Sequence, residues 1–149
     1  MTRPWPWARE FDADGIYLNS ATMGLPPRGT TEAVRAALDH WRRGVAHAPD
    51  YDRVIDRAVA AYGRLVNAPT GSVAVGHQVS PLVSLVAAAV PDGGTVLVPA
   101  GEFTSVTFPF AVQADRGVRV IEAPLHELAD RIDAGTALVA LSAVQSSDG

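Results

Sequence analysis

The chain contains no cysteine and no lysine, and the two absences exclude different chemistry. Without cysteine there is no disulfide, no thiolate nucleophile and no thiolate metal site. The compartment stays open, although a reducing one fits. Without lysine all 12 basic residues are arginines, and no side-chain amine can form a Schiff base with a carbonyl compound. Positive charge is in deficit, and a net charge of −4 argues against nucleic acid or an anionic membrane surface as a partner. His40, His47, His77 and His126 are scattered without the spacing of a metal site, which ranks metal-dependent hydrolysis low. No G-x-G-x-x-G or G-x-x-x-x-G-K-[ST] follows any strand candidate, so a nucleotide-binding module also ranks low. The opening residues MTRPWPWAREFD carry prolines and acids and no apolar core, and they do not read as a signal peptide.

What is present is a globular composition. At 149 residues, 48% hydrophobic and 19% charged, the chain is one ordinary domain or part of a larger one, able to bury a sizeable core. Residues 73–90 lack charge, which raises the question of a membrane span. Gly76, His77, Gln78, Ser80, Pro81 and Ser84 interrupt the apolar character, so strand, turn and helix describe the stretch better. Val73 and Val75 predict a short strand, and Leu82, Val83, Leu85, Val86 and Ala89 predict a helix over 80–90. A strand leading through such a turn presents the helix's unpaired N–H groups at the sheet edge, a natural seat for phosphate. The expectation is a cytosolic, soluble protein with no membrane segment.

Before this stretch, residues 1–14 read as an arm whose Trp5, Trp7 and Phe11 pack on a neighbouring surface. A defined loop of small residues, a glycine and paired prolines follows Tyr17–Leu18. Thr30 or Thr31 is the expected cap of a helix with Val34, Ala37, Leu38 and Trp41 on one face, stopped at Gly44. Asp50 is the expected cap of a second helix, apolar along Tyr51, Val54, Ile55, Ala58, Val59, Tyr62, Leu65 and Val66, and ended by Asn67–Ala68–Pro69. After the opening stretch, strands are predicted over 95–98, 118–121 and 137–141, with helical segments near 105–114 and 125–132. Strands alternating with helices define an α/β fold with a mostly parallel, buried sheet. The chain stops in a polar loop after a strand, where such sheets place ligands. The expectation is the front part of a longer protein.

Four motifs in this order resemble the N-terminal part of the class V aminotransferase-fold enzymes, which depend on pyridoxal phosphate (PLP) and include cysteine desulfurases, kynureninases and isopenicillin-epimerase-like proteins. Tyr17–Leu18–Asn19–Ser20–Ala21 looks like the family's Y-L-N/D-N/S-A-A opening, and the resemblance implies that Asn19 and Ala21 bind substrate. Gln78–Val79–Ser80 falls at the family's phosphate turn, although Val79 replaces the usual central threonine. Glu102–Phe103–Thr104–Ser105, followed by Phe108–Pro109–Phe110, resembles E-F/H-x-S/A-N then P-W, and implies that Phe103 stacks on the pyridine ring. Phenylalanine at that position leans away from the desulfurases, which usually carry histidine. The segment from Ser142 through Ser146 to Gly149 is similar to S-H-V-x-x-x-x-G; Ser146 faces substrate or cofactor by this resemblance, and Ala143 replaces the common histidine or tryptophan.

The resemblance therefore implies the fold of the large domain of PLP-dependent transferases (aspartate aminotransferase-like, fold type I). Residues 1–29 form an arm and substrate-side loop, and residues 30–149 the N-terminal part of that domain. The cofactor-binding candidates are Gln78, Val79, Ser80, Phe103 and Ser146. The implied partners are an amino-acid substrate and, for a full-length protein, a second copy in a homodimer. The family's aspartate for the pyridinium nitrogen and its Schiff-base lysine do not occur before Gly149. No catalytic residue is assigned within the chain. The competing expectation is a non-catalytic remnant or partner-binding α/β module.

Overall fold

Helix ends leave backbone groups without partners, and glycine, asparagine and proline decide where the two helices of the first half stop and start. The computed structural model describes residues 5–147, the side chain of Thr70 excepted. It divides the chain into two units, Met1–Val75 and Gly76–Gly149.

In the first unit, α1 spans Arg28–Arg42 and takes Pro27, with extended dihedrals, as its N-cap. Neither Thr30 nor Thr31 caps it: the Thr31 hydroxyl donates back to the Arg28 carbonyl at 2.7 Å, inside a helix that has already begun. Gly44 does stop it. At φ 70° the Gly44 N–H reaches the Trp41 carbonyl (2.9 Å) and the Val45 N–H reaches the His40 carbonyl (3.0 Å), the paired bonds of a Schellman end. A 3-10 turn, Ala48–Tyr51, leads into α2, Asp52–Leu65. Asp50 lies within that turn and Tyr51 is the N-cap, because Pro49 starts the helical path earlier than expected. Asn67, at φ 52°, closes α2, with the Ala68 N–H on the Gly63 carbonyl at 2.8 Å. Among the described residues of this unit only Gly63 is buried, and the apolar faces of both helices are open. Trp5 and Trp7, expected to pack away, are 68% and 60% exposed.

The second unit holds the sheet. Its elements run α3 (Val79–Ala89), β1 (Thr95–Pro99), α4 (Thr104–Ala111), β2 (Arg119–Ala123) and β3 (Thr136–Val139). The strand order is β2-β1-β3, and both pairings are parallel. Thr95 to Pro99 pair in step with Arg119 to Ala123, whereas the β1–β3 register shifts between Thr95 and Val96. The central strand β1 is buried at every position, as a parallel strand flanked on both edges must be. Its alternation splits the core: Val96 and Val98 face Phe110, Ala87, Val90 and Val118, while Leu97 faces Ala123 and Leu128. Helices α3 and α4 pack against one another.

Three further expectations need correction. Residues 73–76 form no strand, and Val75 is 59% exposed. A strand needs a ladder partner, and no described strand lies in register with this segment. Gly76 nevertheless comes close to the start of α3, where a Cβ would stand 2.7 Å from Leu82 Cδ2. Residues 125–132 form two 3-10 turns, Leu125–Glu127 and Ala129–Arg131, instead of one helix. Leu128, between the two turns, is buried in the core with Leu97 and Ala123. Helix α4 ends at Ala111 and gives way to a 3-10 turn, Ala114–Arg116, instead of continuing to Ala114.

Arg116 secures the far end of α3. Its guanidinium donates to the carbonyls of Val90 (2.6 Å) and Ala88 (3.3 Å), to Gln113 Oε1 (3.1 Å) and to Asp92 Oδ1 (2.8 Å). A cation there satisfies last-turn carbonyls and complements the helix dipole. Arg116→Ala is expected to lower stability by about 2–3 kcal/mol, since hydrogen bonds involving a charged group are the stronger ones. The urea midpoint should fall with an unchanged slope. Among the described residues no helix is long and apolar enough to cross a membrane.

Candidate functional site

Because the three strands are parallel, their carboxyl ends share one edge of the sheet, where open α/β folds place ligands. A cavity of about 420 Å3 opens there, lined by residues 99–101, Leu125, residues 142–145 and Ser147. After β1 the chain turns through Gly101, whose φ of 80° suits glycine. The Ala100 N–H bonds the Ala123 carbonyl at 2.8 Å, and the Glu102 N–H bonds the Pro99 carbonyl at 3.2 Å. This turn carries Glu102 inward.

Glu102 is 8% exposed and its carboxylate accepts four hydrogen bonds. Its Oε1 accepts from the Phe103 N–H (2.7 Å) and the Ser142 hydroxyl (2.8 Å). Its Oε2 accepts from the Ser142 N–H (2.7 Å) and the Gln145 amide (3.0 Å). Burial pushes the carboxyl pKa up; the backbone bonds from Phe103 and Ser142 and the side-chain bonds from Ser142 and Gln145 outweigh it, leaving the group below its ordinary range. One carboxylate thus ties the loop after β1 to the loop after β3.

Phe103 is the N-cap of α4, in extended conformation, and its carbonyl accepts from Val106 at 2.8 Å and Thr107 at 3.2 Å. The residue is 56% exposed, so it is not a core residue. Ser146 lies in the exposed turn after β3, next to Gln145. Glu102 bonds the Phe103 N–H directly and reaches the residue before Ser146 through the Gln145 amide. Asp148 and Gly149, which end the fourth motif, lie outside the described residues.

Gln78 is the N-cap of α3, and Val79 and Ser80 begin its first turn. Gln78 and Val79 are exposed and Ser80 is half-buried. The N–H groups of Val79 and Ser80 have no intrahelical acceptor by position, and the Ser80 hydroxyl adds a third donor. Pro81, the next residue, has no N–H, so the cradle is smaller than a helix start ordinarily offers. The packing of α3 on α4 places this turn and Phe103 at the N-termini of adjacent helices. None of Gln78, Val79, Ser80, Phe103 or Ser146 lines the cavity itself.

Asn19 and Ala21 belong to the first unit. The Asn19 carbonyl accepts from Thr22 (3.2 Å) and Met23 (3.0 Å), and the Tyr17 hydroxyl donates to the Met23 carbonyl at 2.6 Å. These bonds brace the loop from within. Among the described residues no cluster of three or more His, Cys, Asp or Glu is arranged to hold a metal ion.

Sequence reasoning passed over Glu102, Ser142 and Gln145 as functional groups, although Glu102 and Ser142 open two of the four motifs. An acidic residue among apolar neighbours after a buried strand was the available signal. Its partners lie 40 and 43 residues further on, and only the strand order brings them near.

No family model matches the chain, and no curated protein does. A solved structure of a C-DES mutant, with glycine covalently linked to its PLP cofactor, is similar over 87% of this chain, with a TM-score of 0.70 and 18% identity. The chain spans 38% of that protein's length. The fold is α/β, a parallel sheet flanked by helices, and it is shared with part of that PLP-bound structure.

Proposed function

We propose that this chain is the N-terminal part of a PLP-dependent enzyme of the class V aminotransferase type, acting at the α-carbon of an amino acid as a transferase or lyase. The observation that carries the reading is the fold shared with a protein whose PLP cofactor carries a covalently linked glycine. The residues present fit two portions of the cofactor. Val79 and Ser80 offer backbone donors and a hydroxyl to a phosphate at the positive end of α3, with the Gln78 amide beside them. Phe103 offers an aromatic ring on an exposed residue, and Ser146 a hydroxyl in the polar loop. Asn19 and Ala21 meet the substrate carboxylate in this reading. When bound, PLP supplies an electron sink for bonds at the substrate α-carbon. The chain's own side chains can position that group but cannot attach it, for want of lysine. A cytoplasmic homodimer of a longer protein completes the proposal.

Equilibrium dialysis of the chain against PLP and against pyridoxal tests it. PLP should bind at least roughly tenfold tighter, because the phosphate engages hydrogen bonds to a charged group. Borohydride treatment followed by mass spectrometry should leave every side chain unmodified, with the terminal α-amine as the sole reactive amine. Equal affinity for the two compounds would reject the phosphate seat. The second reading, a partner-binding α/β module, draws on the open apolar faces of α1 and α2, and equal affinity would favour it.

A further inference from the structure

We infer that Glu102 is a positioning residue for the cofactor ring: its carboxylate locks the Phe103 end of α4 to the loop carrying Ser142, Gln145 and Ser146, so that stacking face and polar loop are set as one piece. The inference rests on the PLP reading above and assigns it a residue that touches neither the ring nor the phosphate.

Ordinary helix capping does not account for this carboxylate. A capping side chain bonds the N–H groups of the first turn, whereas Glu102 takes only the N–H of the N-cap residue Phe103, at 2.7 Å. The other bonds run to the loop after β3, from both the N–H and the hydroxyl of Ser142 and from the Gln145 amide. A buried carboxylate satisfied by neutral donors from two loops fixes their separation, because losing either loop leaves the charge short of partners. Phe103 depends on such a hold. The residue is more than half exposed, so side-chain packing fixes it only in part and the backbone at the head of α4 carries the rest. The same two loops line the cavity at the strand ends, through residues 99–101 and 142–145.

A double-mutant cycle on the full chain tests the inference. Dissociation constants for PLP are measured for the wild type, Phe103→Ala, Glu102→Gln and the double variant, with inorganic phosphate as competitor. Phe103→Ala should weaken PLP about fivefold through loss of stacking. Glu102→Gln should weaken it by a similar factor, the double variant no further, and inorganic phosphate should compete as before. Losses that multiply in the double variant, or an unchanged PLP affinity in Glu102→Gln, overturn the role. Where Glu102→Gln does not fold, Ser142→Ala takes its place, since it removes one hydroxyl bond and leaves the others. Amide hydrogen exchange without ligand reads the lock separately. In Glu102→Gln or Ser142→Ala the Phe103 and Ser142 amides should exchange roughly fivefold faster, and together. Independent exchange of the two overturns the lock. A wild-type chain that does not hold PLP overturns the functional reading and the ring-setting role with it, and the exchange result then decides the lock alone.

Discussion

Phe110→Ala is expected to destabilise the second unit by about 3–5 kcal/mol, the largest single effect anticipated in this chain. Phe110 is 1% exposed and is among the largest fully buried side chains, packed with Ala87, Val90, Val96, Val98 and Val118. The loss combines the transfer free energy of the ring with a cavity between α4 and the sheet that β1 cannot close, since its register is held on both edges. Domains are stable by only about 5–15 kcal/mol, so the variant should sit near its unfolding transition at ambient temperature. Phe108 provides the control. It lies two residues earlier and is 63% exposed, and its replacement by alanine should cost much less. Urea titration of both variants measures the difference, and equal losses would contradict the placement of the core on the Phe110 side of α4.

Removing the Glu102 carboxylate is the second large effect. Glu102→Leu orphans the Phe103 N–H, the Ser142 N–H and hydroxyl and one Gln145 amide hydrogen. Unsatisfied buried groups cost about 1–3 kcal/mol each, and because these donors are only part-buried water recovers some of that loss, which places the variant about 2–4 kcal/mol below wild type. Acid should reproduce part of this loss. The folded-state pKa of Glu102 lies below its ordinary value of 4.5, so the unfolded chain takes up the proton first as pH falls. The stabilisation is fully present above 4.5 and is lost as pH drops through the lower folded value. Urea midpoints for wild type and Glu102→Gln should stay apart by a constant amount above pH 4.5, draw together as pH falls from there to the lower folded value, and converge below it. Curves that diverge toward acid would reverse the sign and reject the assignment.

The agreement between sequence and structure follows the range of the interactions. Gly44 and Asn67 stop their helices as expected, because a left-handed residue and two backbone bonds suffice. Thr30, Thr31 and Asp50 are not caps, because Pro27 and Pro49 start the helical paths sooner. The strands near 95–98, 118–121 and 137–141 are present, with ends displaced by a residue or two. The strand at Val73 and Val75 is missing because β-propensity supplies half of a ladder and no partner. Phe103 is legible as a candidate by its motif, yet its exposure is not, since a lone aromatic ordinarily reads as core.

By itself the sequence determined the alternation of strand and helix, and it excluded thiolate and Schiff-base chemistry from the chain's own side chains; both follow from local pattern and residue inventory. Only the tertiary structure decided that β1 lies between β2 and β3, and so that Glu102 meets Ser142 and Gln145 across the carboxyl ends of the strands. The physical reason is one of range. Periodicity reports which face of an element is apolar, whereas strand order is chosen by packing between elements far apart in the chain, and it is strand order that assembles this site.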